Sequence, residues 1–134
     1  MNMDTEKSGA LFQYRVLVVD DDVAVVEVVT AMLTEMGYNA MSAEGMRAAL
    51  TILPNFEPNV VITDMVMPDG DGMDLVLRLA RRTPRPSLVA MSGNPTGIQF
   101  LRASKILGVK ALLRKPFSQT ELEHALLVAL DRVP

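Results

Sequence analysis

Four places in this chain carry residue types that could share one chemistry. Asp20, Asp21 and Asp22 follow the apolar run "VLVV", and Asp64 follows "NVVIT". Ser92 ends "PSLVAMS", and Lys115 follows "VKALLR". Crowded carboxylates raise one another's pKa unless a cation intervenes. Two or three carboxylate oxygens with room for water suit Mg²⁺, which binds through a few carboxylates and keeps waters for a phosphate. An ammonium and a hydroxyl would add charge and a hydrogen bond to a phosphoryl group in flight, where catalysis is mostly positioning and neutralisation. One carboxylate is then left as the nucleophile. Each residue alone has an ordinary reading. Asp22 suits a helix cap, Asp64 or Ser92 can open a turn, and Lys115 can be a solvated cation. Their joint arrival at several strand ends asks for a shared explanation.

The elements that must position them read as short apolar runs alternating with helical patterns. "RVLVVD" suits a strand buried on both faces. Val25, Val28, Val29, Met32, Leu33 and Met36 recur at helical spacing, and Gly37 stops that helix. "YNAMS" is a short second strand. "AEGMRAALTIL" is a second helix, capped by Ser42 and ended by Pro54. "NVVITD" is the third strand, and Gly70 and Gly72 make a turn. "MDLVLRLARR" is a helix whose basic end suits the negative pole of its dipole.

"PSLVAMS" is the fourth strand. Asn94 caps a fourth helix, with Pro95 at its first position and its end near Gly108. "VKALLRKPF" gives the fifth strand. Ser118 and Glu121 form a capping box, with Phe117 and Leu122 as a hydrophobic staple, at the start of "QTELEHALLVALDR". Five strands alternating with five helices imply an α/β fold, with a parallel sheet covered on both faces. Sites in such sheets form beyond the carboxyl ends of the strands. Four of the five strands bring a polar group there.

Composition bounds the rest. With 134 residues the chain suits one domain, and residues 1–13 read as a flexible N-terminal tail before a domain over 14–134. The net charge of −3 gives no argument for nucleic acid or an anionic membrane. No cysteine and one histidine, His124, exclude a disulfide framework and a thiolate or histidine metal cluster. The polar start lacks a secretion signal, and no apolar run approaches the roughly 20 residues of a membrane span. A soluble, cytoplasmic domain is expected.

The stretches "VLVVDDD", "VVITDMVMPDGDG", "LVAMSG" and "LLRKPF" closely resemble the receiver domain of two-component response regulators, chemotaxis-regulator-like, from about Tyr14 to Val133. The resemblance implies a doubly wound, flavodoxin-like fold. It implies that Asp64 takes a phosphoryl group from a sensor histidine kinase or a histidine phosphotransfer protein. Asp20 and Asp21 match the acidic pair that holds Mg²⁺, with Mn²⁺ as a substitute; Asp21 would bind directly and Asp20 through water. Val66 would supply a backbone carbonyl to the metal. Lys115 would pair with the phosphoryl oxygens, Ser92 would turn toward the aspartyl phosphate, and the Lys115–Pro116 bond would be cis. The fourth helix, fifth strand and fifth helix would carry the switched surface to an output partner or domain. Such a chain performs only its own phosphoryl acceptance and slow autodephosphorylation, and contacts neither nucleic acid nor membrane directly.

Two positions depart from the pattern. Leu112 stands where many receivers carry an aromatic residue that moves with the hydroxyl residue, so a weaker Ser92–Leu112 coupling is expected. Val66 is apolar where some relatives carry a polar group that positions water, so a long-lived aspartyl phosphate is expected. Leu127, Val128 and Leu130 lie off the apolar stripe of the last helix. They are either partly buried or part of a homodimer contact. Two rival readings are weighed. A haloacid-dehalogenase-type phosphatase would use Asp20 as nucleophile, but it leaves Asp64 and "MVMPDGDG" without a role. A phosphorylation-independent interaction module usually lacks one of the acids or the lysine, and here all are present.

Overall fold

The computed structural model describes residues 14–65, 67, 72–93, 102, 105 and 107–132. The expected tail, Val66, Gly70, Asn94 and Pro95 lie outside them. Five strands form one sheet: β1 (Arg15–Val19), β2 (Asn39–Ala43), β3 (Val60–Asp64), β4 (Ser87–Ser92) and β5 (Val109–Arg114). All pairings are parallel, in the order β2-β1-β3-β4-β5. Four helices are described: α1 (Val23–Glu35), α2 (Met46–Phe56), α3 (Gly72–Ala80) and α4 (Gln119–Ala129). The expected helix between β4 and β5 is represented by Arg102 and Lys105, both helical, so α4 is the fifth helix of the sequence pattern.

The unbroken apolar strands follow from burial on both faces. Leu17, Val61 and Leu88 pack with Leu53 of α2 and with Leu75 and Leu79 of α3. Val16, Val18, Ile62, Val89 and Met91 pack with Val29 and Leu33 of α1 and with Leu122 and Leu126 of α4. Along β1, β3 and β4 the two clusters take alternate residues, as the two-residue period requires.

Three of the helix ends obey local rules. Asp22 is extended and caps α1, its carboxylate accepting from Ala24 N and Val25 N. Gly37, with φ 97°, follows the end of α1. At α4 the Ser118–Glu121 capping box is complete, and Phe117 and Leu122 join the same cluster.

Three local expectations are corrected. Ser42 lies in β2 and caps nothing, because α2 begins only at Met46. Pro54 sits inside α2, which runs on to Phe56 and ends at Glu57 in a left-handed conformation. In the last turn a proline forgoes a single helical hydrogen bond, and the chain continues past it. Gly72 does not belong to the turn; it is the first residue of α3.

In the last helix, Leu127, Val128 and Leu130 are half-buried, and Leu130 packs against the core. The exposed large apolar side chains among the described residues are elsewhere: Val23, Val28, Met41, Leu77 and Leu112. None of the described helices is long and apolar enough to cross a membrane.

Charge is divided along the sheet. Residues 75–120, which supply β4 and β5, hold nine lysines and arginines and no acid. Residues 15–74, which supply β1, β2 and β3, hold eleven acids against Arg15 and Arg47.

Candidate functional site

The strand order reverses beside β1, which is followed by β2 on one side and β3 on the other. A crevice opens at such a switch point, outside the carboxyl ends of the strands. Asp20 leaves β1 there and Asp64 closes β3. Asp20 is fully buried and Asp64 nearly so, at 8 % exposure, whereas Asp21 is exposed. One carboxylate oxygen from each of Asp20, Asp21 and Asp64 lies within 4.8 Å of the other two.

Lys115, just past the end of β5, ties this cluster together. Its Nζ donates to Asp20 Oδ2 at 2.6 Å and to Asp64 Oδ2 at 3.3 Å. Its main chain is fixed as well, with Lys115 N donating to the Ser92 carbonyl at 2.9 Å. Burial disfavours the ammonium, but its hydrogen bond to Asp20 and the charge of Asp64 outweigh it and hold the Lys115 pKa above its usual 10.5. The lysine is therefore a cation throughout the neutral range.

The other oxygen of Asp20 accepts from Asp22 N at 2.9 Å. The cap geometry of α1 explains this bond. An extended Asp22 turns its side chain to the helix and its N–H back to Asp20. Both Asp20 oxygens are thus held by the protein, while among the described residues no donor reaches the Asp21 carboxylate. Three hard oxygen donors, one of them open to solvent, fit Mg²⁺.

Ser92 is buried on β4, one residue past Met91, the register partner of Asp64. Leu112 pairs in register with Ala90 and is 36 % exposed on the edge strand. The Lys115–Pro116 bond is cis. The structure thus gathers Asp20, Asp21, Asp64 and Lys115, and sets Ser92 on the adjoining strand. His124 is exposed on α4.

Two features escaped the sequence. The shorter bond of Lys115 goes to Asp20 and not to Asp64, which no spacing reveals. Gly72 packs against the backbone of Asp64 and Met65; it belongs to the receiver-like stretch "VVITDMVMPDGDG", but that stretch does not reveal the contact.

Comparison with known proteins agrees with this geometry. Residues 16–127 match the family model "Response regulator receiver domain". A probable transcriptional regulator ycf27 of Porphyridium aerugineum is 34% identical over 121 residues, covering 89% of this chain and 49% of that protein. The DNA-binding transcriptional regulator NtrC of Azospirillum brasilense is 31% identical over 116 residues, covering 87% of this chain and 24% of that protein. The chain thus spans about half of the first relative and about a quarter of the second. Among solved structures, a response regulator receiver domain protein of Clostridium thermocellum superposes with a TM-score of 0.81 at 27% identity, over 89% of this chain and 95% of that one. The chemotaxis response regulator CheY4 of Vibrio cholerae shares the fold, with a TM-score of 0.77 at 24% identity over 87% of this chain and 98% of that one. With its parallel five-stranded sheet and acidic crevice, this chain belongs to the receiver domain family of two-component response regulators.

Proposed function

We propose that this receiver domain accepts a phosphoryl group on Asp64, from a phosphohistidine of a sensor kinase or phosphotransfer protein, in the cytoplasm. The observation that carries the reading is the bridge made by Lys115 between buried Asp20 and Asp64, with Asp21 beside them. An Asp64 oxygen attacks phosphorus, the P–N bond breaks, and its electron pair returns to the imidazole. The Lys115 ammonium sits 3.3 Å from Asp64 Oδ2, where it meets the charge of the incoming phosphoryl oxygens. A bound Mg²⁺ supplies further neutralisation of those oxygens, and Asp20, Asp21, Asp64 and the Val66 carbonyl would hold it.

Asp20 does not suit the nucleophile of a phosphatase, because both of its oxygens are held by Lys115 and Asp22. Asp64→Asn should abolish acid-stable-protein labelling by a phosphodonor, and Asp20→Asn should leave Asp64 as the labelled residue. Label retained by Asp64→Asn overturns the reading.

The chemistry stops at this residue. The chain performs no turnover on another substrate, and its aspartyl phosphate is lost slowly to water. With Val66 apolar, the expected lifetime is many minutes, and a lifetime of seconds would count against it. The dianionic group on Asp64 draws Ser92 and Lys115, and the surface of β5 and its flanking helices relays the change to an output partner or domain. Leu112 makes the link to Ser92 one of packing.

The donor must touch the rim of the crevice. An apolar groove there is lined by Val25, Val28 and Met32 of α1 and by Lys115, Pro116 and Phe117. Val28 is 54 % exposed. We assign this groove to the donor domain, since its Lys115 wall is also the wall of the acceptor site. Val28→Glu should slow transfer from the protein donor and leave labelling by acetyl phosphate unchanged. Equal slowing with both donors would refute the assignment.

A further inference from the structure

Gly72 begins α3, the helix that follows the acceptor strand. Its N–H donates to the Met65 carbonyl at 3.1 Å. A Cβ at this position would collide with the Asp64 carbonyl oxygen. It would also lie 2.6 Å from Met65 Cα and 3.0 Å from the Asp64 carbonyl carbon. All three are backbone atoms and cannot swing aside as a flexible side chain would. No left-handed conformation is involved, since the described glycines with positive φ are Gly37 and Gly108. Glycine is required at 72 for space alone.

The same peptide is held from other directions. Met65 N donates to the Met91 carbonyl of β4 at 3.2 Å. The buried Thr63 hydroxyl donates to the Asp64 carbonyl at 3.0 Å. The Asp64–Met65 peptide is therefore gripped between β4 and the first turn of α3, with no slack on the helix side.

We propose that Gly72 is a positioning residue for the acceptor site. By letting the backbone of α3 touch the Asp64–Met65 peptide, it sets the Asp64 carboxylate against Asp20, Asp21 and Lys115. This rests on the reading of Asp64 as a phosphoacceptor in a metal-holding cluster. Any side chain at 72 must drive α3 off β3 or push the peptide toward the crevice. Both displace a carboxylate whose partners are 3.3 Å (Lys115) and at most 4.8 Å (Asp20 and Asp21) away. A misplacement of about 1 Å can cost on the order of 10²-fold in a positioned reaction.

The test compares Gly72→Ala and Gly72→Ser with Leu79→Ala, a buried change in the same helix that does not touch Asp64. Three quantities are measured on each: urea stability, the affinity for Mn²⁺ alone by electron paramagnetic resonance, and the rate of Asp64 labelling by acetyl phosphate at saturating Mg²⁺. The Gly72 variants should fold and lose about tenfold or more in Mn²⁺ affinity, in labelling rate, or in both. Leu79→Ala should lose stability and keep both. Wild-type affinity and rate in the Gly72 variants overturn the proposal, as does an equal loss in Leu79→Ala. A Gly72 variant that unfolds is measured again in an osmolyte that favours the folded state. If it stays unfolded there, the role is structural only and the proposal fails. If the wild-type chain takes no label on Asp64, the phosphoacceptor reading fails separately, and the Mn²⁺ comparison still decides the part played by Gly72.

Discussion

The Lys115–Asp20 bond, at 2.6 Å, is a contact that the fold itself makes. Asp20 is fully buried, and a buried carboxylate left without its counter-charge is costly. Lys115 keeps 20% of its side-chain surface exposed, which tempers the loss. Lys115→Met should cost about 1–3 kcal/mol of stability without metal, and less in saturating Mg²⁺. Urea titrations with and without the ion check both halves. A second expectation concerns Tyr38, which is 2% exposed. Burial, reinforced by the charge of Glu123, raises its pKa above the usual 10.0. A group whose folded pKa is raised gives stability that is present at neutral pH and lost as pH climbs through the unfolded and then the folded pKa. Alkaline absorbance titration should show a tyrosine ionising late, and Tyr38→Phe should remove that component. At this scale the sequence was legible where chemistry imposes a residue type, as at Asp64 and Lys115. It was mute where only proximity decides, as in the choice of Lys115 between two carboxylates or the bare Cα of Gly72.

Elements were legible where their ends obey local rules. Asp22 and Ser118 announce helix starts through side chains that take up orphan N–H groups, and both do so here. Ser118→Ala should cost about 1 kcal/mol. Asp22→Ala should cost a similar amount while leaving Asp64 able to take label, because the Asp22 N–H that supports Asp20 is main chain. Chemical denaturation and a labelling assay separate this outcome from a metal-binding role for Asp22, in which labelling would fall. The ends of α2 were not legible. Gly45 starts it with no side-chain cap, and Pro54 does not stop it. Its place is set by packing, with Ala49 and Leu53 fully buried against β1 and β3 neighbours. Local signals cannot state a tertiary preference of that kind.

At the scale of the molecule, two buried faces and a switch point are consequences of one alternating pattern, and they bring Asp20, Asp21, Asp64 and Lys115 to a single crevice. The same order of strands also arranges charge. The acidic segment makes one side of the sheet through β2, β1 and β3, and the basic segment makes the other through β4 and β5. The net charge of −3 conceals this separation. The Arg78–Asp74 pair within α3 and the acids Glu121 and Glu123 of α4, which packs against β5, temper this division, and the remainder should give the domain a dipole component along its sheet. At pH 7 and low ionic strength it should be retained by both an anion-exchange and a cation-exchange resin, each gripping an opposite end. Passage through the cation exchanger without delay would show that the two ends do not act apart. Salt near physiological strength reduces the range of such fields to about 8 Å, so the dipole steers only partners already close, and it turns them before they touch.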